Sequence, residues 1–382
     1  MTFFPNLRFP GFEGQWEKKK LGETFSIFNG YAFSSNASVD NGNLWVKIAD
    51  VGIQEMKRDN ISFLPFDFKE KYSKFILEKG DYVVALTRPI LSGKLKIAKI
   101  DDFFNGSLLN QRVGKIQTNN HNGFIYYTLQ RTPLIKEIEN NIAGSDPPNL
   151  SPNEINSISI KLPVISEQQK IADFLEIIDT RIHTQKKIIE KLETSMKVNR
   201  INIFSKKLRF KDKCGSDFPA WERKKIKEIL TIGSGKDYKH LNDGVIPVYG
   251  TGGIITFVDS FLYNGETVCI GRKGTIDKPL YYNGKFWTVD TLFYTHSFKN
   301  SVPKFVFNIF QNINWKEYNE ASGVPSLSKN TIEKIEISMP CLEEQYKIAN
   351  FLSSIQGKIE TEKQILEKLE LQKKFLLANL FV

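Results

Sequence analysis

Two long segments of the chain carry apolar residues at alternating spacings of four and three. The first stripe consists of Ile171, Leu175, Ile178, Ile182, Gln185, Ile189, Leu192 and Met196. The second consists of Ile348, Leu352, Ile355, Ile359, Glu362, Leu366 and Leu369, and it continues through Lys373 to Leu376 and Leu380. This spacing is typical of the seam of a coiled coil, and a polar residue interrupts both stripes at the same middle step. We therefore predict two long helices, at residues 166–206 and 343–382.

The segments that precede these helices contain short β-like runs, separated by turns rich in Gly, Asn and Asp. Residues 245–295 include VIPVYG, GIITFV, ETVCIG, KPLYY and FWTVDTLFYTH, and the first half of the chain includes LWVKIADV, YVVALTR, KLKIAKI and GKIQT. Runs of this length and composition are typical of strands. We predict an α+β protein with two β-rich domains, at residues 1–165 and 207–342, each followed by one of the long helices.

The two halves of the chain form an internal repeat. EINSISIKLP at 154–163 and EQQKIADFLEIIDTRI at 167–182 align without a gap, at an offset of 177 residues, with TIEKIEISMP at 331–340 and EQYKIANFLSSIQGKI at 344–359. Near the start of each unit, the pattern Trp-Glu-x-Lys-Lys-x-x-Glu occurs at 16–23 and again at 221–228, at an offset of 205. The unit ends therefore agree, whereas the unit middles differ in length by about 28 residues.

The order of these elements predicts how the two helices pair. The first helix ends near Lys206 and the second unit has begun by Trp221, so the second domain starts at the far end of the first helix. The second helix starts from that domain and has to run back along the first. We predict an antiparallel coiled coil with pseudo-two-fold symmetry, in which Gln185 and Glu362 meet and can fix the register through a hydrogen bond. The alternative is that each stripe packs only on its own domain, which explains poorly why both run for about five heptads.

Composition excludes several classes of protein. The 382 residues contain 41% hydrophobic and 25% charged residues, which is typical of soluble globular proteins with two or three domains and not of fibrous or disordered chains. We find no apolar run of transmembrane length and no secretory leader, so we expect a cytoplasmic protein without a membrane partner. The three cysteines, Cys214, Cys269 and Cys341, are odd in number and widely spaced. We expect them to be reduced, with no metal site.

A formal net charge of +10 favours a polyanionic partner. In each unit a β-like run is followed by a basic loop, which suits contacts with DNA phosphates and base edges. A charged, solvated surface is the alternative for any single residue, and the recurrence of the loops in both units favours DNA. The predicted DNA-binding residues are Arg88, Lys94, Lys96 and Lys99 in the first unit, and Lys236, Lys239, Tyr249, Arg272, Lys273 and Lys278 in the second.

Signals of catalysis are weak. Asp146-Pro147-Pro148-Asn149 superficially resembles the motif with which amino-methyltransferases hold their target nitrogen, but an Asn stands where an aromatic ring is needed, and no cofactor loop accompanies it. The GSGK at 233–236 lacks the upstream glycine of a phosphate-binding loop. The four histidines show no metal-binding spacing. We expect no catalytic residue, metal or cofactor in this chain.

The whole chain resembles the specificity subunits of type I restriction–modification systems. The resemblance rests on the unit starts FPGFEGQWEKKKLGE and FPAWERKKIKE, on IPVYGTGGI and CIGRKGT in the second unit, and on the helical EQQKIADFL and EQYKIANFL. It implies two target recognition domains that each read one half of a split, asymmetric DNA sequence, with the helices setting the spacer between the halves.

The same resemblance implies partners that supply the chemistry. Two modification subunits would dock on the helices and transfer a methyl group from S-adenosylmethionine to adenine, and a motor and nuclease subunit using ATP and magnesium would join them for restriction. The helix residues for which the resemblance implies seam and docking roles are Ile171, Leu175, Ile178, Ile182, Gln185, Ile348, Leu352, Ile355, Ile359 and Glu362. Two other functions stay open at this point: a fused restriction and methyltransferase enzyme, and a coiled-coil scaffold that does not read DNA.

Overall fold

The chain folds into two compact units, of which the first combines two stretches that are distant in sequence and the second is one continuous stretch. The computed structural model describes residues 4–142 and 147–382. Unit 1 comprises Met1–Thr184 and Leu366–Val382, and unit 2 comprises Gln185–Ile365. Each unit therefore contains one β-rich domain and parts of both long helices.

The β-rich part of unit 1 consists of short strands and short helices, because turn residues interrupt its apolar runs every few positions. Its strands are β1 (Glu17–Lys20), β2 (Ser26–Asn29), β3 (Asn43–Val46), β4 (Phe63–Leu64), β5 (Tyr82–Ala85), β6 (Ile90–Leu91), β7 (Lys94–Leu95), β8 (Ile97–Lys99), β9 (Leu108–Leu109), β10 (Val113–Gln117) and β11 (Ser159–Leu162). Its helices are α1 (Leu21–Thr24), α2 (Phe68–Lys71), α3 (Asn122–Thr128), α4 (Thr132–Ile142) and α5 (Pro152–Ile155).

The central sheet of unit 1 has the strand order β2-β10-β5-β8. All four residues of β5 are buried, which explains why this strand is an unbroken apolar run: Val84 packs into the larger core beneath the helices, and Val83 and Ala85 pack into a second core on the opposite face. A second sheet has the order β4-β3-β9, while β6 and β7 form a hairpin and β1 pairs with β11.

Unit 2 has longer strands and fewer of them. The strands are β12 (Glu222–Lys225), β13 (Thr231–Ser234), β14 (Asp243–Gly250), β15 (Gly253–Val258), β16 (Tyr263–Gly271), β17 (Leu280–Thr288), β18 (Leu292–His296) and β19 (Glu336–Met339). Its short helices are α7 (Ile226–Ile229), α8 (Pro303–Phe310) and α9 (Lys329–Lys334). Six strands form one sheet of order β13-β18-β16-β17-β14-β15, in which β15 is an edge strand, and β12 pairs with β19.

The pattern Trp-Glu-x-Lys-Lys-x-x-Glu marks the same local structure in both units. Its strand pairs antiparallel with the strand before the long helix, so that Glu17 faces Leu162 in unit 1 and Glu222 faces Met339 in unit 2. A single helical turn follows each strand. The last Glu of the pattern, Glu23 or Glu228, accepts a hydrogen bond from the backbone N–H that precedes this turn.

The Glu-Gln pair at the start of each long helix is also explained by buried contacts. Glu167 is 1% exposed and accepts two hydrogen bonds of 2.8 Å from the guanidinium of Arg8. Gln168, equally buried, donates to Pro163 O at 2.9 Å and accepts from the backbone N–H of His121 at 3.0 Å. The pair therefore fixes the helix both to the strand that leads into it and to the β-rich domain.

Unit 2 repeats these contacts and adds one. Glu344, fully buried, accepts hydrogen bonds from Arg209 at 3.1 and 2.7 Å and from Trp221 Nε1 at 3.0 Å. Gln345 donates to Pro340 O at 2.9 Å and accepts from the backbone N–H of Val302 at 2.9 Å. The residues that the two units share in sequence therefore form the same set of buried contacts at the start of each long helix.

The two long helices are α6 (Ile165–Phe204) and α10 (Leu342–Asn379). In unit 2, Glu193 of α6 pairs with Lys363 of α10 at 2.6 Å. Arg200, further along α6, lines a cavity together with Gln356, which lies earlier in α10. The helices therefore run antiparallel, as predicted. The predicted contact between Gln185 and Glu362 is present, since Gln185 Nε2 donates to the backbone oxygen of Glu362 at 3.0 Å and to its carboxylate.

The apolar stripes are buried within the chain itself. In unit 1, Ile171, Leu175 and Ile178 share one core with the β-rich domain and with Leu376 and Leu380 of the other helix. The stripe therefore packs on its own domain and on the partner helix at once, and the two alternatives raised by the sequence are both partly realised. The remaining predicted seam residues are buried or half-buried: Ile182, Gln185, Ile348, Leu352, Ile355 and Ile359.

Each unit contains a cluster of three aromatic side chains, the aromatic triangle, and one of the three lies at the end of a long helix or two residues beyond it. The triangle of unit 1 is formed by Trp16, Phe124 and Phe381, with ring centroids 5.1–6.3 Å apart. The triangle of unit 2 is formed by Trp221, Phe305 and Phe204, with centroids 5.7–6.3 Å apart. The sequence Leu-Arg-Phe occurs at 7–9 and at 208–210, and its arginine donates to the buried glutamate at the start of a long helix in each unit.

Candidate nucleic-acid interface

The basic loop of unit 2 follows the buried end of β16 and is held by backbone hydrogen bonds. Arg272 N donates to Thr291 O at 2.8 Å, and Arg272 O accepts from Leu327 N at 2.9 Å. Gly274 N donates to Pro325 O at 2.8 Å, and Gly274 has φ +91°, a conformation that favours glycine. The loop is therefore fixed in shape, while the side chains of Arg272 and Lys273 are exposed.

Unit 1 builds the same loop from different residues. Leu86 N donates to Arg112 O at 3.0 Å, Leu86 O accepts from Leu150 N at 2.7 Å, and Arg88 N donates to Pro148 O at 2.8 Å. By these hydrogen bonds Arg88 takes the place of Gly274. Alignment of Gly80-Asp81 with Gly265-Glu266, before the two strands, instead places Arg88 opposite Lys273, one residue away. Arg88 has φ 46°, a left-handed conformation that costs a residue with a side chain about 1–2 kcal/mol.

Several loops of unit 2 meet around Arg272. Lys236 N donates to Thr288 O at 2.8 Å, and Trp287 Nε1 donates to Lys236 O at 2.8 Å. Arg272 Nη1 reaches Asp290 O at 3.4 Å, and its guanidinium lies 5.9 Å from the centroid of the Phe293 ring. The exposed side chains of Lys236 and Arg272 therefore project from adjoining loops. Lys239 and Lys278 are exposed as well.

A cavity of about 510 Å³ lies beside the basic loop. It combines three cations with three serine hydroxyls and one carboxylate, and it is lined by Ser234, Arg272, Lys273, Phe293, Glu320, Ser326, Leu327, Ser328 and Lys329. Hydrogen bonds from Thr331 and Ser328 lower the pKa of Glu320, so this carboxylate is ionised and already has partners. Cations and hydroxyls in this arrangement can bind the oxygens of a phosphate group.

Two predicted lysines of unit 1 have side chains that are engaged by other parts of the unit. Lys99 pairs with Glu176 of α6. Lys96 is half-buried and donates to Ile48 O at 3.3 Å, and its burial, together with the charge of Lys57, lowers its pKa. The sequence placed both in a basic loop, whereas the structure gives them contacts within the domain. Lys94 is exposed on the β6–β7 hairpin.

Tyr249 was expected to face DNA, and the structure places it in the core instead. Its side chain is 7% exposed and its ring centroid lies 5.0 Å from that of Tyr282. Burial raises its pKa to about 12. The strand that contains Tyr249, β14, lies between β17 and β15 in the sheet. The Tyr249 side chain packs in a core cluster on one face of this sheet and therefore stabilises the domain.

Sequence reasoning missed an exposed basic and aromatic cluster in unit 1. The rings of Tyr31 and Tyr72 have centroids 4.5 Å apart, and Lys71 Nζ lies 5.4 Å from the Tyr72 centroid. Tyr31 O accepts a hydrogen bond from Gln111 N, next to the exposed Arg112 that holds the Arg88 loop. The interleaving of Lys with Tyr and Phe at 66–75 was the available signal.

The catalytic candidates find no support in the described part of the chain. Asp146 lies outside the described residues, while Asn149 accepts a hydrogen bond from the Thr87 hydroxyl at 2.8 Å and so holds the basic loop. In residues 4–142 and 147–382, no group of three or more His, Cys, Asp or Glu is placed to hold a metal ion. Within the same residues, no helix is both long and apolar enough to cross a membrane.

A family model described as "Type I restriction modification DNA specificity domain" matches residues 13–194 and 220–371. The specificity subunit of the type I restriction enzyme MjaVIII from Methanocaldococcus jannaschii is 33% identical over 200 residues, which cover 52% of this chain and 47% of that protein. The specificity subunit of the type I restriction enzyme EcoAI from Escherichia coli is 28% identical over 169 residues, 43% of this chain and 28% of that protein. The matches thus span less than half the length of these two curated relatives.

Solved structures share the fold over nearly the whole chain. The S subunit of a type I restriction–modification system from M. genitalium superposes with a TM-score of 0.69 and 18% identity, covering 99% of both chains. A chain from a study of complex assembly and conformational transition of a type I restriction–modification system has a TM-score of 0.54 and 16% identity, covering 97% of this chain and 98% of that one.

Proposed function

Because this chain belongs to the family of type I restriction modification DNA specificity domains, we propose that it selects the DNA target of a type I restriction–modification complex. The chain itself is not catalytic. Each β-rich domain, at residues 1–165 and 207–342, is a target recognition domain that reads one half of a split, asymmetric sequence. The complex acts on the chromosome, in the cytoplasm.

The observation that carries this proposal is that one framework is built twice around different loops. In both units a segment late in the domain, Pro148–Leu150 or Pro325–Leu327, fixes the basic loop through two equivalent backbone hydrogen bonds, and a third equivalent bond joins the loop to Arg112 or Thr291. The framework holds the loops in place, and the exposed cations that the loops carry differ: Arg88 in unit 1, and Arg272 and Lys273 in unit 2. Two such surfaces with different side chains suit two different half-sites.

The residues proposed to contact DNA follow from exposure. In unit 2 they are Lys236, Lys239, Arg272, Lys273 and Lys278. In unit 1 they are Arg88 and Lys94, together with Arg112, Tyr31 and Lys71 from the cluster that the structure adds. Arginines that reach base edges give specificity, and lysines that reach phosphates give affinity that falls with salt.

The docking surface for modification subunits is proposed on the exposed faces of the long helices, because the seam residues are already buried. Unit 1 exposes Ile177, Leu371 and Phe375 on its helices, each by 57–59%. Unit 2 exposes Ile188, Val198, Ile201 and Ile365 on its helices, each by 39–50%. Apolar side chains exposed in such numbers are typical of a surface that binds another protein.

The proposed partners divide the chemistry among them. Two modification subunits bring S-adenosylmethionine and methylate adenine, and a restriction subunit uses ATP and magnesium to move along DNA and cut it. Replacement of Leu371 and Phe375 by Asp should abolish co-purification with the modification subunit. Phe66→Asp, which changes a 67% exposed Phe in the β-rich domain, is the matched control and should leave co-purification unchanged.

Sequencing of methylated bases tests the target selection directly. A genome exposed to this chain and its cognate modification subunit should carry methylated adenine in one split, asymmetric sequence. Methylation or cleavage of DNA by the purified chain alone, with magnesium and S-adenosylmethionine, would favour the fused enzyme. Methylation by the complex without any sequence preference would favour the scaffold.

A further inference from the structure

The β14–β15 hairpin of unit 2 exposes an apolar surface that its own domain does not cover. Ile254, Ile255 and Phe257 are exposed by 53, 52 and 47%, and Val245 by 87%. β15 is the edge strand of the six-stranded sheet and pairs only with β14. Apolar side chains on an edge strand favour association with another molecule, so this surface needs an occupant.

The tip of the hairpin lies beside the basic loop. Gly250 pairs with Gly253, and Thr251 and Gly252 form the turn between them. Thr251 Oγ1 is 3.8 Å from the position that a Cβ on Gly274 would occupy, so the tip adjoins the loop that carries Arg272 and Lys273. A Cβ on Gly252 or Gly253 would meet nothing within 4 Å, which leaves the tip slender and open to solvent.

Charge identifies the kind of occupant. Asp243 is the only charged residue of the hairpin sequence at 243–258, and it lies at the end away from the tip. Ile254 and Ile255 lie beside the tip, so the cations of the adjoining loop and these two exposed isoleucines are at the same end. A polyanion with apolar groups between its charges fits this arrangement, and DNA presents thymine methyl groups in a groove bordered by phosphates.

The dimensions also agree. Paired strands lie about 4.8 Å apart, and the major groove is about 12 Å wide and admits a two-stranded β-ribbon. We propose that the tip of the β14–β15 hairpin enters the major groove of the second half-site, where Ile254 and Ile255 contact thymine methyl groups. This proposal rests on the proposed function, because it assigns a contact within that DNA-reading surface.

The test removes the methyl groups from DNA and leaves the protein unaltered. The target is first determined from the methylated bases that the wild-type complex leaves, and duplexes are then made with uracil in place of each thymine of the second half-site. Loss of a methyl contact should weaken binding by the assembled complex about fourfold, which corresponds to about 0.8 kcal/mol. Uracil in the first half-site should leave this contact unaffected and provides the control on the DNA side.

A protein variant shows whether the isoleucines are responsible. Ile254→Ala with Ile255→Ala should bind the thymine duplex more weakly than wild type and should no longer distinguish thymine from uracil in the second half-site. Val245→Ala, on the same hairpin but near its other end, should distinguish them as wild type does.

Three results would overturn the inference: equal binding of thymine and uracil duplexes by wild type, discrimination retained by the double variant, or failure of the double variant to assemble with the modification subunit. The last result would mean that the surface binds protein. Failure of the proposed function is separate, because the wild-type complex would then show no preferred sequence at all.

Discussion

The left-handed backbone of Arg88 leads to a prediction with opposite effects on stability and on binding. Unit 2 has Gly274 at the equivalent place, held by the same hydrogen bond to a proline carbonyl. Arg88→Gly therefore fits the backbone and removes a cationic side chain at one position. We expect the variant to be at least as stable as wild type and to bind DNA more weakly.

The magnitudes follow from the backbone and from the lost contact. Relief of the left-handed conformation should contribute about 1–2 kcal/mol, and the greater freedom of glycine in the unfolded chain should offset about 0.4–1 kcal/mol of it. The free energy of unfolding should therefore be unchanged or rise by up to about 1.6 kcal/mol. Binding should weaken by about 1–3 kcal/mol if Arg88 contacts a base, or the salt slope should fall by about one if it contacts a phosphate.

Urea unfolding of the free chain measures the first effect, and fluorescence anisotropy of labelled DNA with the assembled complex, at several salt concentrations, measures the second. Arg58→Ala removes one positive charge elsewhere in unit 1, where Arg58 pairs with Asp101 at 2.6 Å, and controls for net charge. Gly274→Ala places a side chain at φ +91° and should lower stability without a change in charge. Unchanged affinity and salt slope of the Arg88→Gly complex would refute the assignment of Arg88 to the DNA surface. A less stable Arg88→Gly protein would refute the argument from backbone strain.

Three further predictions follow from the same structure. Alanine at both Arg272 and Lys273 should weaken DNA binding by about 1–3 kcal/mol or reduce the salt slope by about two, and an unchanged salt titration would contradict their role. Glu344→Ala should lower the free energy of unfolding by about 1–3 kcal/mol, because it leaves the buried Trp221 Nε1 without an acceptor and removes the counterion of the half-buried Arg209, whereas the exposed neighbour changed in Glu343→Ala should have little effect in the same urea titration. Burial raises the pKa of the Cys269 thiol to about 12, so a thiol reagent should count two reactive cysteines in the folded chain and three after denaturation; three at once would contradict the burial.

The fold could be predicted from the sequence because its signals are periodic and local. The seam of the two helices is visible in the sequence as a regular spacing of apolar residues. The antiparallel direction of α10 follows from the order of the elements alone. The contact of Gln185 with Glu362 was predictable for the same reason, since both interrupt their stripes at one step.

The DNA surface was harder to predict because exposure is a tertiary property. Lys99 is exposed, but it pairs with Glu176, and only the course of α6 brings that carboxylate to it. Tyr249 ends the apolar run VIPVY, whose sequence does not tell which of its side chains are covered. The equivalence of Arg88 and Gly274 could not be predicted, because an arginine and a glycine are not similar in sequence. Only their equivalent backbone hydrogen bonds show that they occupy the same position in the two loops.

The two aromatic triangles differ in the length of the chain segment between the residues that have to meet. Phe204 and Trp221 are 17 residues apart, whereas Phe381 and Trp16 are 365 residues apart. If no other contact has yet formed, closing the longer loop costs about 2.7 kcal/mol more in chain entropy. On the ribosome, Phe381 is also synthesised after Trp16 and Phe124. The domain that is synthesised first therefore obtains its last aromatic corner only when synthesis has reached the end of α10.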